Sequence, residues 1–99
     1  MSDVKVFKLT TGEEIVGTVV RKIPETDEYV LDDTVAIVVQ PTQDGRLSPA
    51  FYPWMAMIEG SKVISGENVI CLGSPDSNLL NAYQSMFSKI ITPKKGIIV

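Results

Sequence analysis

The sequence predicts a single, mainly β domain: a small barrel of five short strands over residues 4–73, a C-terminal α-helix over 75–88 that closes it, and an apolar tail over 89–99. Three observations carry that expectation. Stretches rich in β-branched residues recur at intervals of about ten and are separated by turn residues. The apolar period lengthens to three and four residues only after Ser74. A chain of 99 residues, 44% apolar and 21% charged, is enough for one core and too short for two domains.

Taken in order, Val4, Val6 and Lys8 share one face of a first strand that ends at Thr10-Thr11-Gly12, and Ile15 to Lys22 form a second. Pro24 and Glu25-Thr26-Asp27-Glu28 make a polar break. A third strand begins at Tyr29-Val30-Leu31, pauses at Asp32-Asp33, resumes from Thr34 to Gln40 and stops at Pro41. Gln43-Asp44-Gly45-Arg46 reads as a hairpin turn. Leu47 to Trp54 then carries Pro49 and Pro53, which donate no ladder hydrogen bond and so suit an edge or a bulge. After a turn at Glu59-Gly60-Ser61, Val63-Ile64 and Val69-Ile70-Cys71-Leu72 supply the last strand, bent at Ser65-Gly66.

Ser74-Pro75-Asp76 reads as a helix start: a hydroxyl able to cap, a proline tolerated at the first helical position, and an acid near the positive end of the dipole. Leu79, Leu80, Tyr83, Met86 and Phe87 follow at helical spacing and form one apolar stripe. The segment after Lys89 is apolar with a basic turn, and reads either as a sixth strand or as an arm for a neighbour.

The composition excludes several classes. Apolar runs such as Val35–Val39 fall far short of the roughly 18 residues a bilayer span needs, so no membrane partner is expected. Met1-Ser2-Asp3-Val4-Lys5 lacks the basic start of a secretion signal and the single Cys71 cannot form an internal disulfide, which fits a reducing cytoplasm. No histidine is present, so Ser-His-Asp and Cys-His arrangements and histidine zinc sites are absent. Cys71, among apolar neighbours, reads as a small buried group rather than a nucleophile. The seven glycines are spaced singly, outside any phosphate-binding fingerprint. The expectation is a protein that is not an enzyme and holds no cofactor and no metal; Glu25, Asp27, Glu28, Asp32 and Asp33 match no calcium loop and read as solvated.

Leu9-Thr10-Thr11-Gly12-Glu13-Glu14-Ile15-Val16-Gly17-Thr18-Val19, with two glycines five apart, resembles the opening motif of the Sm and Sm-like proteins. Tyr29-Val30-Leu31-Asp32-Asp33 is similar to the close of that motif, and Ile64-Ser65-Gly66-Glu67-Asn68-Val69-Ile70 to the short second motif. The likeness spans about residues 5–72. The C-terminal helix and the Val69–Pro75 passage are also similar to the Sm-like group of marine cyanobacterial phages. The resemblance implies a strongly bent five-stranded barrel whose edge strands pair with those of neighbours, closing a homo-oligomeric ring of about five to seven chains. It further implies RNA or single-stranded DNA as the ligand and, for a phage-encoded protein, the cytoplasm of a bacterial host. The positions that hold uracil in the family are changed: Asp27 or Glu28 falls where an asparagine is expected, Glu25 or Thr26 at the stacking position, and Ser65 at the arginine position.

Nine basic against twelve acidic residues give a net charge of −3, which leaves few places for phosphate. Those places are Arg21, Lys22, Lys62 and the cluster Lys89, Lys94 and Lys95, while Thr10, Thr11, Ser65 and Asn68 offer polar loop atoms to bases. Tyr52-Pro53-Trp54 reads either as a stacking platform or, with Phe51, as core or interface aromatics. The alternative function is a structural or protein-interaction ring that has lost the nucleotide pocket.

Overall fold

A computed structural model of the chain describes residues 3–91. Strands β1 (Val4–Leu9), β2 (Glu14–Ile23), β3 (Glu28–Pro41), β4 (Leu47–Pro53), β5 (Lys62–Ser65) and β6 (Val69–Gly73) form one antiparallel sheet, with helix α1 (Ser77–Ile91) packed on it. The order is β4-β3-β2-β1-β6, and β5 also pairs with β3. A mainly β fold with one C-terminal helix therefore stands. The closed five-stranded barrel does not: among the described residues there are six strands, and the sheet is not closed by strand pairing.

The difference originates at Ser65-Gly66. Instead of bending one last strand, Gly66–Asn68 form a single turn of 3-10 helix, with the Ser65 hydroxyl accepting the Glu67 N–H at 3.3 Å. On either side the chain changes partner, β5 lying on the start of β3 and β6 on the end of β1. Three residues span at most about 10 Å, so the sheet is curled enough to bring those two strands together without joining them. β6 is consequently an edge strand, which explains a second correction: Cys71 is exposed, not buried. β4, with Pro49 and Pro53, is bonded only to β3, as its prolines require.

The expected pause at Asp32-Asp33 is a bulge inside one 14-residue strand. Partners change from Val16↔Val35 to Thr18↔Asp32, and the extra residue is absorbed with Asp33 at φ 52°, a left-handed conformation that aspartate tolerates. The bulge inverts the alternation of side chains. Tyr29 and Leu31 before it face one core, Val35 and Ile37 after it face the other. Gly17 lies opposite, where a Cβ would stand 2.9 Å from Thr34 Oγ1, so the crossing has no room for a larger residue.

Inside the curl, Phe7, Leu9, Ile15, Leu31 and Ile64 are buried, flanked by Val19, Tyr29, Trp54 and Val69; the Phe7 and Tyr29 rings meet edge to face at 5.4 Å. On the other face Val16, Val35 and Ile37 are covered by Tyr83, with Val4, Val6, Phe51, Leu79 and Phe87 around them. The Tyr83 hydroxyl donates to the Asp33 carbonyl at 2.9 Å, which leaves it to accept from Thr18 Oγ1 at 3.0 Å. Burial first, then the nearby Asp33 and Asp32, hold this phenol above its usual range against the opposing pull of Thr18.

α1 starts two residues later than its sequence suggests. The cap is Asp76, whose Oδ1 accepts the Leu79 N–H at 2.8 Å, whereas the Ser74 hydroxyl accepts from Lys5 Nζ at 3.1 Å. The helix also runs on to Ile91, past its expected end at 88. Of the stripe, Tyr83 is buried and Leu79 and Phe87 pack beside it, while Leu80 is half-buried and Met86 exposed. The part of the tail from 92 to 99 lies outside the described residues. No helix among those described is long and apolar enough to cross a membrane.

Candidate functional site

The Gly66–Asn68 turn draws two distant loops together. Thr10, in the turn between β1 and β2, donates its N–H to the Asn68 carbonyl at 2.8 Å and its hydroxyl to Asn68 Oδ1 at 3.4 Å. On the other side Gly66 donates its N–H to the Asp27 carbonyl at 2.6 Å. Asp27 closes the Pro24–Asp27 turn at φ 54°, and its carboxylate lies over Gly66, where a Cβ would come within 2.5 Å of the carboxyl carbon. A Cβ at 66 would have to push that exposed carboxylate aside.

Asp27 also organises the charge. Its Oδ1 is 3.1 Å from Lys22 Nζ, and that ammonium stands 4.7 Å from the centre of the Tyr29 ring. The hydrogen bond to Asp27 is the main reason the Lys22 ammonium is held above its ordinary range. Beside it, Thr26 donates to Glu28 Oε1 at 2.8 Å. Asp27 and Glu28 thus both find partners within this turn, Asp27 with the nearest lysine and Glu28 with the Thr26 hydroxyl.

Among the described residues three further cations are neutralised in the same way. Lys5 pairs with Asp3 at 3.6 Å, Lys8 with Glu14 at 3.2 Å and Arg46 with Asp44 at 3.6 Å. Such exposed pairs add little stability, but each removes a positive charge from the field a phosphate would meet. Among the described residues Arg21 and Lys62 make no ion pair.

Thr10, Ser65 and Asn68 are thus brought to one place, and Lys22 reaches it through Asp27. Thr11 sits in the same turn as Thr10 and donates to Glu13 Oε1 at 3.1 Å. Arg21 lies exposed on β2, just past a second bulge between Val19 and Arg21. Lys62 is placed elsewhere, opposite Leu31, on the wall of a separate cleft. Lys89 is in the last turns of α1, and Lys94 and Lys95 lie outside the described residues. Two contributors escaped the sequence reading: Tyr29 as the ring under Lys22, and Gly66 as the floor under Asp27. A lysine and an aromatic flanking a short turn, Lys22 and Tyr29, are the signal that marks the first.

No protein-family model matches the sequence, and no curated protein matches it.

The separate cleft, of about 610 Å³, runs between the start of β5, the end of β4 and α1, and is lined by Asp32, Asp33, Phe51, Trp54, Lys62 and Phe87 among others. Tyr52 and Trp54 do not behave alike there. Tyr52 is exposed and its hydroxyl accepts from Gln40 at 3.1 Å, whereas Trp54 is half-buried against the core inside the curl. Burial, then the neighbouring Asp32, raise the Asp33 carboxyl above its ordinary range, with Lys62 pulling the other way.

Proposed function

We propose that the chain is an Sm-like, non-catalytic subunit that assembles edge to edge into a homo-oligomeric ring of about five to seven copies and binds RNA or single-stranded DNA on its loop surface, in the cytoplasm of a bacterial host. The observation that carries this reading is the unclosed sheet. The outer sides of β4 and β6 pair with no other strand among the described residues, and Leu47 and Ile70 on them are 72% and 63% exposed. Unpaired edges carrying apolar side chains favour continuation of the sheet into another copy, and a head-to-tail repeat of that contact closes as a ring. The Thr10–Asn68–Ser65 surface then recurs once per subunit, so weak contacts to Arg21, Lys22, Lys62 or the Lys89, Lys94 and Lys95 cluster add up along one strand of nucleic acid.

A second reading, a protein-interaction ring, is favoured by one observation: Lys22 is already engaged by Asp27. Light scattering and oligonucleotide affinity at two salt concentrations separate the cases. A ring whose affinity falls steeply with salt supports nucleic-acid binding. A ring that binds no oligonucleotide at low salt supports the protein scaffold, and a stable monomer at micromolar concentration rejects both.

A further inference from the structure

The cleft beside α1 combines aromatic rings with groups of both charges. Phe51 and Phe87 pack onto the core under α1 and Trp54 onto the core inside the curl, and all three also line the cleft, together with Asp32, Asp33 and Lys62. Its volume of about 610 Å³ falls within the roughly 300–1,000 Å³ usual for small-molecule sites. Trp54 is half-buried, so the core fixes one part of the indole and the rest faces the cleft. The charged groups are not spent on one another. Among the described residues Lys62 makes no ion pair with either acid, although it stands near enough to draw the Asp33 carboxyl downward. Asp32 accepts the Ser61 hydroxyl, whereas no hydrogen bond among the described residues engages the Asp33 carboxylate. Beside a stacking surface, the cleft thus offers a pair of carboxylate acceptors and, apart from them, an ammonium donor.

We propose that the cleft takes a guanine base from a single strand of nucleic acid, with the ring stacked on Trp54, its N1–H and 2-amino group donating to the Asp33 carboxylate, and its O6 accepting from the Lys62 ammonium. The inference rests on the proposed binding of single-stranded nucleic acid and names the base that this binding selects. Aromatic faces stack any base, so the choice falls to the polar groups. A carboxylate only accepts, and it is satisfied in full by two neighbouring donors. Guanine carries two such donors side by side, followed by a carbonyl for the lysine. Adenine and cytosine set a ring acceptor next to their amino group, which a carboxylate repels, and uracil has one N–H between two carbonyls. β5 connects the cleft with the loop surface: Lys62 stands on the cleft wall and Ser65 beside Asn68 at the turn, three residues apart and so about 10 Å along one strand. A strand lying on the loops can therefore set one base in the cleft.

Trp54 is the only tryptophan of the chain, so its emission reads the cleft directly. At low salt, a uridine nonamer is compared with the same nonamer carrying a central guanosine, adenosine or cytidine, and with guanosine monophosphate. The guanosine nonamer is expected to quench Trp54 and to bind about tenfold more tightly than the other three nonamers. Asp33→Asn, which also tolerates the left-handed backbone, should bring it to the level of the uridine nonamer. Lys62→Met should narrow the preference as well, and it decides the matter should the first variant fail to fold. Nonamers that bind without quenching Trp54 and without preferring guanosine overturn the cleft assignment and leave nucleic-acid binding in place. Failure of every nonamer to bind overturns nucleic-acid binding and the assignment with it. Guanosine monophosphate that binds as tightly as the guanosine nonamer rejects a strand as the source in favour of the free nucleotide. Trp54 that resists acrylamide quenching in the assembled protein without nucleic acid puts a second copy in the cleft and rejects the proposal.

Discussion

Inside the curl of the sheet, Phe7, Ile15 and Leu31 are sealed by residues from the strands and the turns between them; under α1, buried Val16, Val35 and Ile37 depend on one helix held by a tyrosine latch. The same strands supply both cores. Ile15 and Val16 are consecutive and point to opposite faces, as pleating dictates, but β3 serves both only because the Asp33 bulge inverts its alternation. The first core is thus a product of strand register, and the second adds a polar lock to modest apolar burial. Substitutions in the two regions should differ in size and in what they loosen.

The largest effect is expected from Phe7→Ala, which empties the centre of the strand-sealed core and should cost about 3–5 kcal/mol in urea unfolding. Gly17→Ala tests the crossing that divides the two cores: its methyl would press on Thr34 Oγ1, with an expected cost of about 1–3 kcal/mol. Because that oxygen is buried with no hydrogen-bond partner, Thr34→Val alone should be neutral or stabilising by up to about 1 kcal/mol. Tyr83→Phe keeps the ring and removes the latch, and should cost about 1–2 kcal/mol. Hydrogen exchange gives the sharper readout: α1 should lose protection while β1 and β2 keep theirs, and equal loss in both would mean the two cores unfold as one. Leu80→Ala, at a half-buried position outside both cores, should cost less than about 1 kcal/mol.

The smallest expected effect is a pH slope. Asp33 has its carboxyl raised by burial and by Asp32, so the folded chain holds that proton more tightly than the unfolded one. The contribution is present below the ordinary carboxylate range and is lost as pH rises through the raised value. The Asp33 contribution should therefore fall on going from acid toward neutrality, opposite in sign to that of Asp44, whose carboxyl the Thr42 hydroxyl holds below its ordinary range, and Asp33→Asn, which also tolerates the left-handed backbone, should remove the Asp33 part of the slope.

What the sequence made legible was local. The first two strands, the hairpin at Gln43–Arg46 and the edge placement of Leu47–Pro53 follow from alternation, turn residues and prolines, which act over a few positions. The bulge at Asp33 was not legible, because two acids in a row look like an interruption; only aspartate's tolerance of positive φ hints that the strand continues. The separation of β5 from β6 and the exposure of Cys71 depend on which strand each one meets across the sheet, information that no single segment contains. At the start of α1, Ser74 and Asp76 are both good caps, and the choice fell to Asp76 while Ser74 bonds Lys5 from β1. For the candidate site, Thr10, Ser65 and Asn68 were grouped through motif loops, and the sheet does bring them together. Lys62 reads in the sequence as a phosphate contact on charge alone, and its register opposite Leu31 places it on the wall of the cleft.

The pairing of β1 with β6 sets an order in time. β1 to β4 are joined by short turns and can zip up as successive hairpins, whereas Phe7 must meet Leu72 across nearly the whole domain. Closing so large a loop carries an entropic penalty that local hairpins avoid, so β6 is the last strand to join and the first to leave. With four of its five residues exposed and one neighbouring strand among those described, it holds on by its ladder and by Val69, which packs against the core inside the curl. An opened state lacking only β6 would be the lowest excited state of the domain, and in it the edge of β1 would be vacant for a strand from another copy to occupy.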